Sequence, residues 1–214
     1  MKRLCGTLNF AFCLFLLTGC GSDSNSNSTP NKQSEDPVVV EDPVAVKATA
    51  LITDQGDAFT DDNFIDCIIN KIVAENTDGD SLEVNDLSEL TILECDSLGI
   101  ENVDGIELLT GLTRLKLNEN KIMAIDLVNN IALTDLGIAG NQLEEIDVST
   151  LTDLRYLNLS DNKLITLNLE ENKLLTGLNV RWNQLTSSDS LFLSNKPDLR
   201  DLSLSDNAET LTIY

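Results

Sequence analysis

The chain repeats one leucine-rich phrase, which is clearest as LRYLNLSDNKL from Leu154 to Leu164. Related phrases are LTRLKLNENKI, LTDLGIAGNQL, LTGLNVRWNQL and LRDLSLSDNAE. Their leucines follow neither the alternation of a strand nor the 3.6-residue period of an amphipathic helix. The asparagines near the end of the phrases lie 21, 21, 21 and 24 residues apart, at Asn120, Asn141, Asn162, Asn183 and Asn207. This spacing predicts an array of similar structural units.

Each unit begins as a short strand that is buried on one side. Leu157 and Leu159, for example, alternate with polar residues, as expected for a half-buried strand. Units stacked in parallel bury these leucines in one core and pair their strand backbones about 4.8 Å apart. The asparagine lies where the chain turns out of the strand, and there its amide can satisfy buried backbone groups. We therefore expect a ladder of asparagines, and extended or 3₁₀ backbone in the second half of each unit.

The phrase L-x-x-L-x-L-x-x-N resembles the leucine-rich repeat family. The resemblance extends from Leu90 to the C-terminus, and the first unit, which has Leu98 in the asparagine place, looks most like an internalin-type repeat. The resemblance implies an α/β, strand-dominated solenoid over residues 90–214, with a parallel concave sheet and five to six repeats of 21–24 residues.

A helical segment precedes the repeats. Phe64, Ile68 and Ile72 form an apolar face at helical spacing, and Thr60 and Asp61 are favourable residues for the N-cap of a helix. The end of a solenoid exposes core residues and needs a cover. Residues 48–89 resemble the N-terminal helical cap of internalin-like proteins, which implies that this helix covers the first coil.

The N-terminus has the pattern of an export signal. Lys2 and Arg3 precede the apolar run NFAFCLFLL, which is too short to span a bilayer comfortably. The following LTGC resembles the lipobox of bacterial lipoproteins, which implies a signal peptide over 1–19 and a lipidated Cys20, with palmitate as one acyl group. An ordinary signal peptide with an incidental cysteine is the alternative. Residues 20–47, rich in Ser, Asn, Asp and Pro, are predicted to form a flexible tether.

The residue after the lipidated cysteine bears on where the protein is located. Gly21, and not Asp, follows Cys20. This resembles the pattern that sorts lipoproteins to the outer membrane of Gram-negative bacteria. Whether the repeats face the surface or the periplasm stays open. The lipid anchor is the only membrane contact that we expect.

Two cysteines remain after the signal peptide and the lipidated residue. In an oxidising compartment, such a spare pair most often forms a disulfide, here between Cys67 and Cys95. Two buried free thiols are the alternative. The resemblance to the internalin-like cap would make these cysteines neighbours, one on the helix and one on the first strand.

Composition excludes several classes of function. The formal net charge is −22, with 14 Lys and Arg residues and no His, which disfavours nucleic-acid binding. The absence of His removes Ser-His-Asp and Cys-His nucleophiles and the usual zinc ligands. NTDGDSLE (Asn76–Glu83) only weakly resembles a calcium loop, because its ligands do not fall at EF-hand spacing, so we read it as a turn. We predict no metal, no cofactor and no enzymatic activity.

The residues between the leucines are predicted to line the concave face. We expect a protein partner to bind there, through Arg114, Lys116, Tyr156, Asn158, Arg181 and Trp182. Aromatic and Arg side chains are enriched among interface hot spots, so Tyr156, Arg181 and Trp182 are the preferred contacts. Trp182 could instead pack locally over a coil edge.

The alternative function is a periplasm-facing structural or assembly component that binds glycan or other envelope proteins.

Overall fold

The computed structural model describes residues 43–75, 87–186, 191, 193 and 195–207. The predicted signal peptide, Cys20, residues 20–42 of the tether and the Asn76–Glu83 segment lie outside the described residues. In the part of the chain that is described, neither helix has the length and apolar character needed to cross a membrane.

The repeats form a solenoid around a six-stranded parallel sheet, as predicted. Two helices come first, α1 (Pro43–Thr53) and α2 (Asp62–Glu75). The strands are β1 (Ile92–Glu94), β2 (Arg114–Lys116), β3 (Asp135–Gly137), β4 (Tyr156–Asn158), β5 (Gly177–Asn179) and β6 (Asp201–Ser203). They are hydrogen-bonded in chain order, each to the next. Short 3₁₀ turns at Leu87–Glu89 and Ile106–Leu108 flank β1.

The middle residue of every strand is a leucine that points into the core. These leucines are in register from coil to coil: Leu93, Leu115, Leu136, Leu157, Leu178 and Leu202. The first five of them, together with apolar residues from the second half of the coils and from the helices, form one continuous hydrophobic core, whereas Leu202 in the last coil is partly exposed. Each coil therefore buries its leucines against its neighbours, as a repeat array requires.

The strand-end asparagines bond adjacent coils to one another. The Nδ2 of Asn162 donates to the carbonyl of Ile138 in the preceding coil, at 2.8 Å, and its Oδ1 accepts from the backbone N–H of Leu143. The same pair of bonds is made by the four other members of the ladder, Asn120, Asn141, Asn183 and Asn207. The side chain thus satisfies backbone groups where the chain leaves the strand.

A second set of buried asparagines lies on the opposite side of the coils. Asn130 and Asn172 are fully buried, and the Nδ2 of Asn172 donates to the carbonyls of Val148 and Leu151 in the preceding coil. In the last coil, Lys196 makes the equivalent bond to the carbonyl of Leu169 at 2.7 Å. Burial lowers the pKa of the Lys196 ammonium. Sequence analysis did not identify this set, although both asparagines lie three residues before the leucine that opens the next phrase.

The helices lie at the N-terminal end of the solenoid. α1 packs on α2, and α2 contacts β1 through a face on which Phe64, Ile68 and Ile72 are fully buried. α1 begins at Pro43, inside the segment predicted as a tether. The last residues of that segment are helical because Ala48 and other apolar α1 side chains join the core.

A disulfide and a shared carboxylate join α2 to the first coil. The predicted bond between Cys67 and Cys95 is confirmed, with the two Cα atoms 5.9 Å apart, so the free-thiol alternative is wrong. The Oδ1 of Asp61 caps α2 by accepting from the Phe64 N–H at 3.0 Å. Its Oδ2 accepts from the Glu101 N–H at 2.8 Å, so one side chain holds both the helix and the solenoid.

Candidate binding face

The concave face is formed by the strand residues on either side of the central leucines. The first residues of the six strands make one row: Ile92, Arg114, Asp135, Tyr156, Gly177 and Asp201. The third residues make a second row: Glu94, Lys116, Gly137, Asn158, Asn179 and Ser203. The register therefore brings four of the predicted contact residues, Arg114, Lys116, Tyr156 and Asn158, onto this face.

The face contains two glycines, and one of them, Gly177, lines a shallow hollow. A Cβ atom on Gly177 would lie 2.9 Å from Cδ1 of Tyr156, and one on Gly137 would lie 2.8 Å from Cδ of Lys116. The absence of a side chain at each position thus allows the neighbouring long side chain to lie across it. Tyr156, Lys116 and Asn158 line the hollow, and Tyr156 remains 53% exposed.

The two cations at the N-terminal end of the face share one acid, and Arg114 also lies 3.9 Å from Glu94. The Nε of Arg114 lies 3.1 Å from Asp135, and the Lys116 ammonium also bonds to this carboxylate. Asp135 is only partly exposed. These pairs reduce the charge that Arg114 and Lys116 can offer a partner. These ion pairs could have been predicted from the sequence, because Asp135 follows the two cations by about one repeat.

The asparagines of the hollow keep a donor group for a ligand. The Oδ1 of Asn158 accepts from the N–H and hydroxyl groups of Ser160, and that of Asn179 accepts from the Arg181 N–H at 3.2 Å. These bonds fix the two amides side by side on adjacent strands. Within the described part of the chain, the Nδ2 of each amide has no acceptor, so a carbonyl or hydroxyl of a partner can bind there.

A third row, here called the exit row, lies where the chain leaves the strands. Its members all have left-handed backbone, with φ between 52° and 65°: Ser97, Glu119, Gly140, Asp161, Trp182 and Asp206. The backbone ladder continues through this row, since the N–H of Asp161 donates to the Arg181 carbonyl at 2.9 Å. Adjacent members are therefore neighbours on adjacent coils. Small or acidic residues occupy every position except that of Trp182.

Trp182 is an exposed aromatic residue in an unfavourable backbone conformation. Its φ is 52°, which is rare for a bulky side chain, and 52% of the residue is exposed. The Arg181 guanidinium lies 4.6 Å from the centroid of the indole ring and 3.6 Å from Asp206. The Nε of Arg181 is buried without a hydrogen-bond partner among the described residues.

The preferred contacts do not form a single patch. Tyr156 is the first residue of β4, whereas Trp182 lies three residues beyond the end of β5. Trp182 and Arg181 do not line the hollow that contains Tyr156. The structure thus places the two exposed aromatic residues on opposite sides of the concave face, with Asn158 and Asn179 between them.

No site for metal chemistry is present in the residues that the structure describes, which contain no group of three or more Cys, Asp or Glu side chains that could hold an ion.

Comparison with known proteins gives internalins as relatives. Internalin J of Listeria monocytogenes serotype 4b (strain F2365) is 42% identical over 74 residues, which cover 35% of this chain and 8% of Internalin J. No protein-family model matches the chain.

Two solved internalin structures have the same fold. The functional domain of InlJ from Listeria monocytogenes, described as including a cysteine ladder, is 37% identical with a TM-score of 0.60, covering 69% of this chain and 32% of that one. InlF from strain 4b F2365 is 32% identical with a TM-score of 0.50, covering 53% of this chain and 34% of that one. The chain thus spans about a third of each solved structure. The described solenoid is an internalin-like leucine-rich repeat structure.

Proposed function

We propose that this protein is a lipid-anchored module of a bacterial cell envelope that binds a protein partner through its concave face. The exposure of Tyr156 on this face and of Trp182 in the exit row at its edge is the observation that carries the proposal. Large aromatic side chains are enriched at interface hot spots. Neither Tyr156 nor Trp182 belongs to the hydrophobic core. The fold supports the same function, since solenoids use extended concave surfaces for binding.

The backbone at Trp182 supports a role in binding for this residue. Residues held in sparsely populated conformations cluster at functional sites, and the other members of the exit row are Ser, Gly or acidic. A tryptophan here is unfavourable for folding, which a contact with a partner would explain. Local packing predicts the opposite, because the indole would then stabilise the coil.

Photo-crosslinking in intact cells tests the proposed face. A photoreactive amino acid is placed at residue 156 or, as a control, at residue 165. Tyr156 and Ile165 are both 53% exposed, but Ile165 lies outside the sheet. We expect residue 156 to crosslink to one protein, and residue 165 not to do so. Equal crosslinking from both positions, or none from residue 156, would contradict binding by the concave face.

Two substitutions at Trp182 separate binding from packing. We expect Trp182→Ala to weaken capture of the crosslinked partner at least about tenfold, as for an interface hot spot, without lowering the melting temperature. Trp182→Gly should also lose binding and raise the melting temperature slightly, because glycine accepts a positive φ. A large fall in melting temperature with unchanged binding would show that Trp182 is a packing residue.

The lipid anchor is tested by Cys20→Ser, which removes the acceptor thiol. We expect the variant to move from the membrane fraction to the soluble fraction, with loss of palmitate labelling. Retention in the membrane fraction would contradict the anchor. Protease treatment of intact cells then locates the repeats, because digestion without permeabilisation requires exposure at the surface. Protection until permeabilisation would favour the periplasmic assembly component.

A further inference from the structure

The positive charges of the concave face are already satisfied within the protein. Arg114 and Lys116 both bond to Asp135, and Arg181 lies 3.6 Å from Asp206. Each cation is therefore oriented toward an acid of its own chain. An acidic partner would have to compete with these ion pairs for each of these three cations.

Three acids of the concave face and the exit row have no such partner. Glu119, Asp161 and Asp201 are exposed, and none of them forms an ion pair or a side-chain hydrogen bond with any residue that the structure describes. The carboxylate of Glu119 lies over Gly140, 2.7 Å from the place where a Cβ atom would be. The charges left free in the strands and the exit row are thus negative, whereas the exposed arginines Arg155 and Arg200 lie at the other edge, directly before β4 and β6.

These acids lie beside the exposed aromatic residue. Asp161 and Asp206 are the neighbours of Trp182 in the exit row, on coils about 4.8 Å away on either side. The alkyl part of a lysine or arginine can lie on an indole ring, where its cationic end is also attracted by the ring itself. From there the cation reaches Asp161, for which the described structure provides no other cation.

We infer that the partner presents a basic segment, rich in Lys or Arg, to the concave face. Its side chains contact Trp182 and pair with Asp161, Glu119 and Asp201. The inference rests on the proposed function and names the chemistry of its partner. The formal charge of −22 also attracts a basic surface at long range and speeds association.

Binding of two matched peptides to the detergent-solubilised full chain tests the inference. One peptide alternates lysine and glycine, and the other has glutamate in place of each lysine. The face variant carries Glu119→Gln, Asp161→Asn and Asp201→Asn. The control variant carries Glu144→Gln, Glu145→Gln and Glu170→Gln, which remove the same net charge at exposed positions outside the sheet.

We expect the unmodified chain to bind only the lysine peptide. The face variant should bind it at least about tenfold more weakly, whereas the control variant should change by less than about threefold, because three specific ion pairs are lost only in the first. Equal weakening in both variants would show that only the net charge of the protein matters, and would overturn the inference. Equal binding of the two peptides would overturn it as well. Circular dichroism checks that both variants are folded.

The outcomes distinguish this inference from the function on which it rests. Crosslinking from residue 156 in cells together with no preference for the lysine peptide would leave protein binding intact and refute the basic partner. Selective binding of the lysine peptide with no crosslinking in cells would support the charge preference and contradict the proposed function.

Discussion

The two ends of the solenoid have the same repeat phrase but different burial. Leu93 in the first coil is fully buried, whereas Leu202, at the same register position in the last coil, is 38% exposed. Leu199 and Leu204 of the last coil are also only partly buried. The phrase therefore specifies where a leucine points, and a neighbour on each side determines how completely it is buried.

The first coil has its second neighbour in α2. Phe64, Ile68 and Ile72 cover it, the Cys67–Cys95 disulfide links it to the helix, and Asp61 bonds to both. Apolar contact, a covalent bond and hydrogen bonds thus act at one junction. Since Leu199, Leu202 and Leu204 of the last coil are only partly buried, we expect the described solenoid to unfold more readily there than at this junction.

Equivalent core truncations at the two ends give the largest expected difference. Leu93→Ala should lower the free energy of unfolding by about 4 kcal/mol, through lost apolar burial and a residual cavity. Leu202→Ala should lower it by less than about 1 kcal/mol, because the side chain is already in contact with water. Urea denaturation of both variants, followed by far-UV circular dichroism, measures the two values. Equal losses would show that the last coil is as well supported as the first.

The disulfide gives the next largest effect, confined to the N-terminal end. Replacing Cys67 and Cys95 together by Ala should lower the free energy of unfolding by about 3 kcal/mol, since the bond closes a loop of 28 residues in the unfolded chain. Hydrogen exchange should then speed up for α2 amides more than for β5 amides. Uniform acceleration along the solenoid would contradict a local role for this junction.

The sequence predicted the features that every coil repeats and missed those that arise between particular residues of two adjacent coils. The leucine and asparagine positions follow from the phrase itself, so the parallel sheet and the asparagine ladder were predictable. The neutralisation of Arg114 and Lys116 by Asp135 arises between coils. It can be found only by aligning residues one repeat apart.

The candidate binding face shows the same limit. The phrase identified Tyr156 and Trp182 as exposed, but their separation follows from the register of β4 and β5. The hollow contains Gly177, whose missing side chain matters only because Tyr156 lies on the adjacent strand. A pattern of residue types within one coil contains no information about which neighbour fills such a space.

The smallest effect expected at the N-terminal junction comes from Asp61. Asp61→Ala removes the cap of α2 and the acceptor for the Glu101 and Asn102 N–H groups, so we expect a loss of about 2 kcal/mol. Asp61→Asn is the matched control, because it keeps an oxygen that can cap the helix but presents an amide N–H₂ to the coil. It should therefore lose about half as much, and thermal unfolding with the disulfide intact measures both.

If Asp61→Asn loses as much as Asp61→Ala, the bonds to the coil outweigh the helix cap. If it loses nothing, Asp61 serves the helix alone, and apolar contact and the disulfide hold α2 on the first coil.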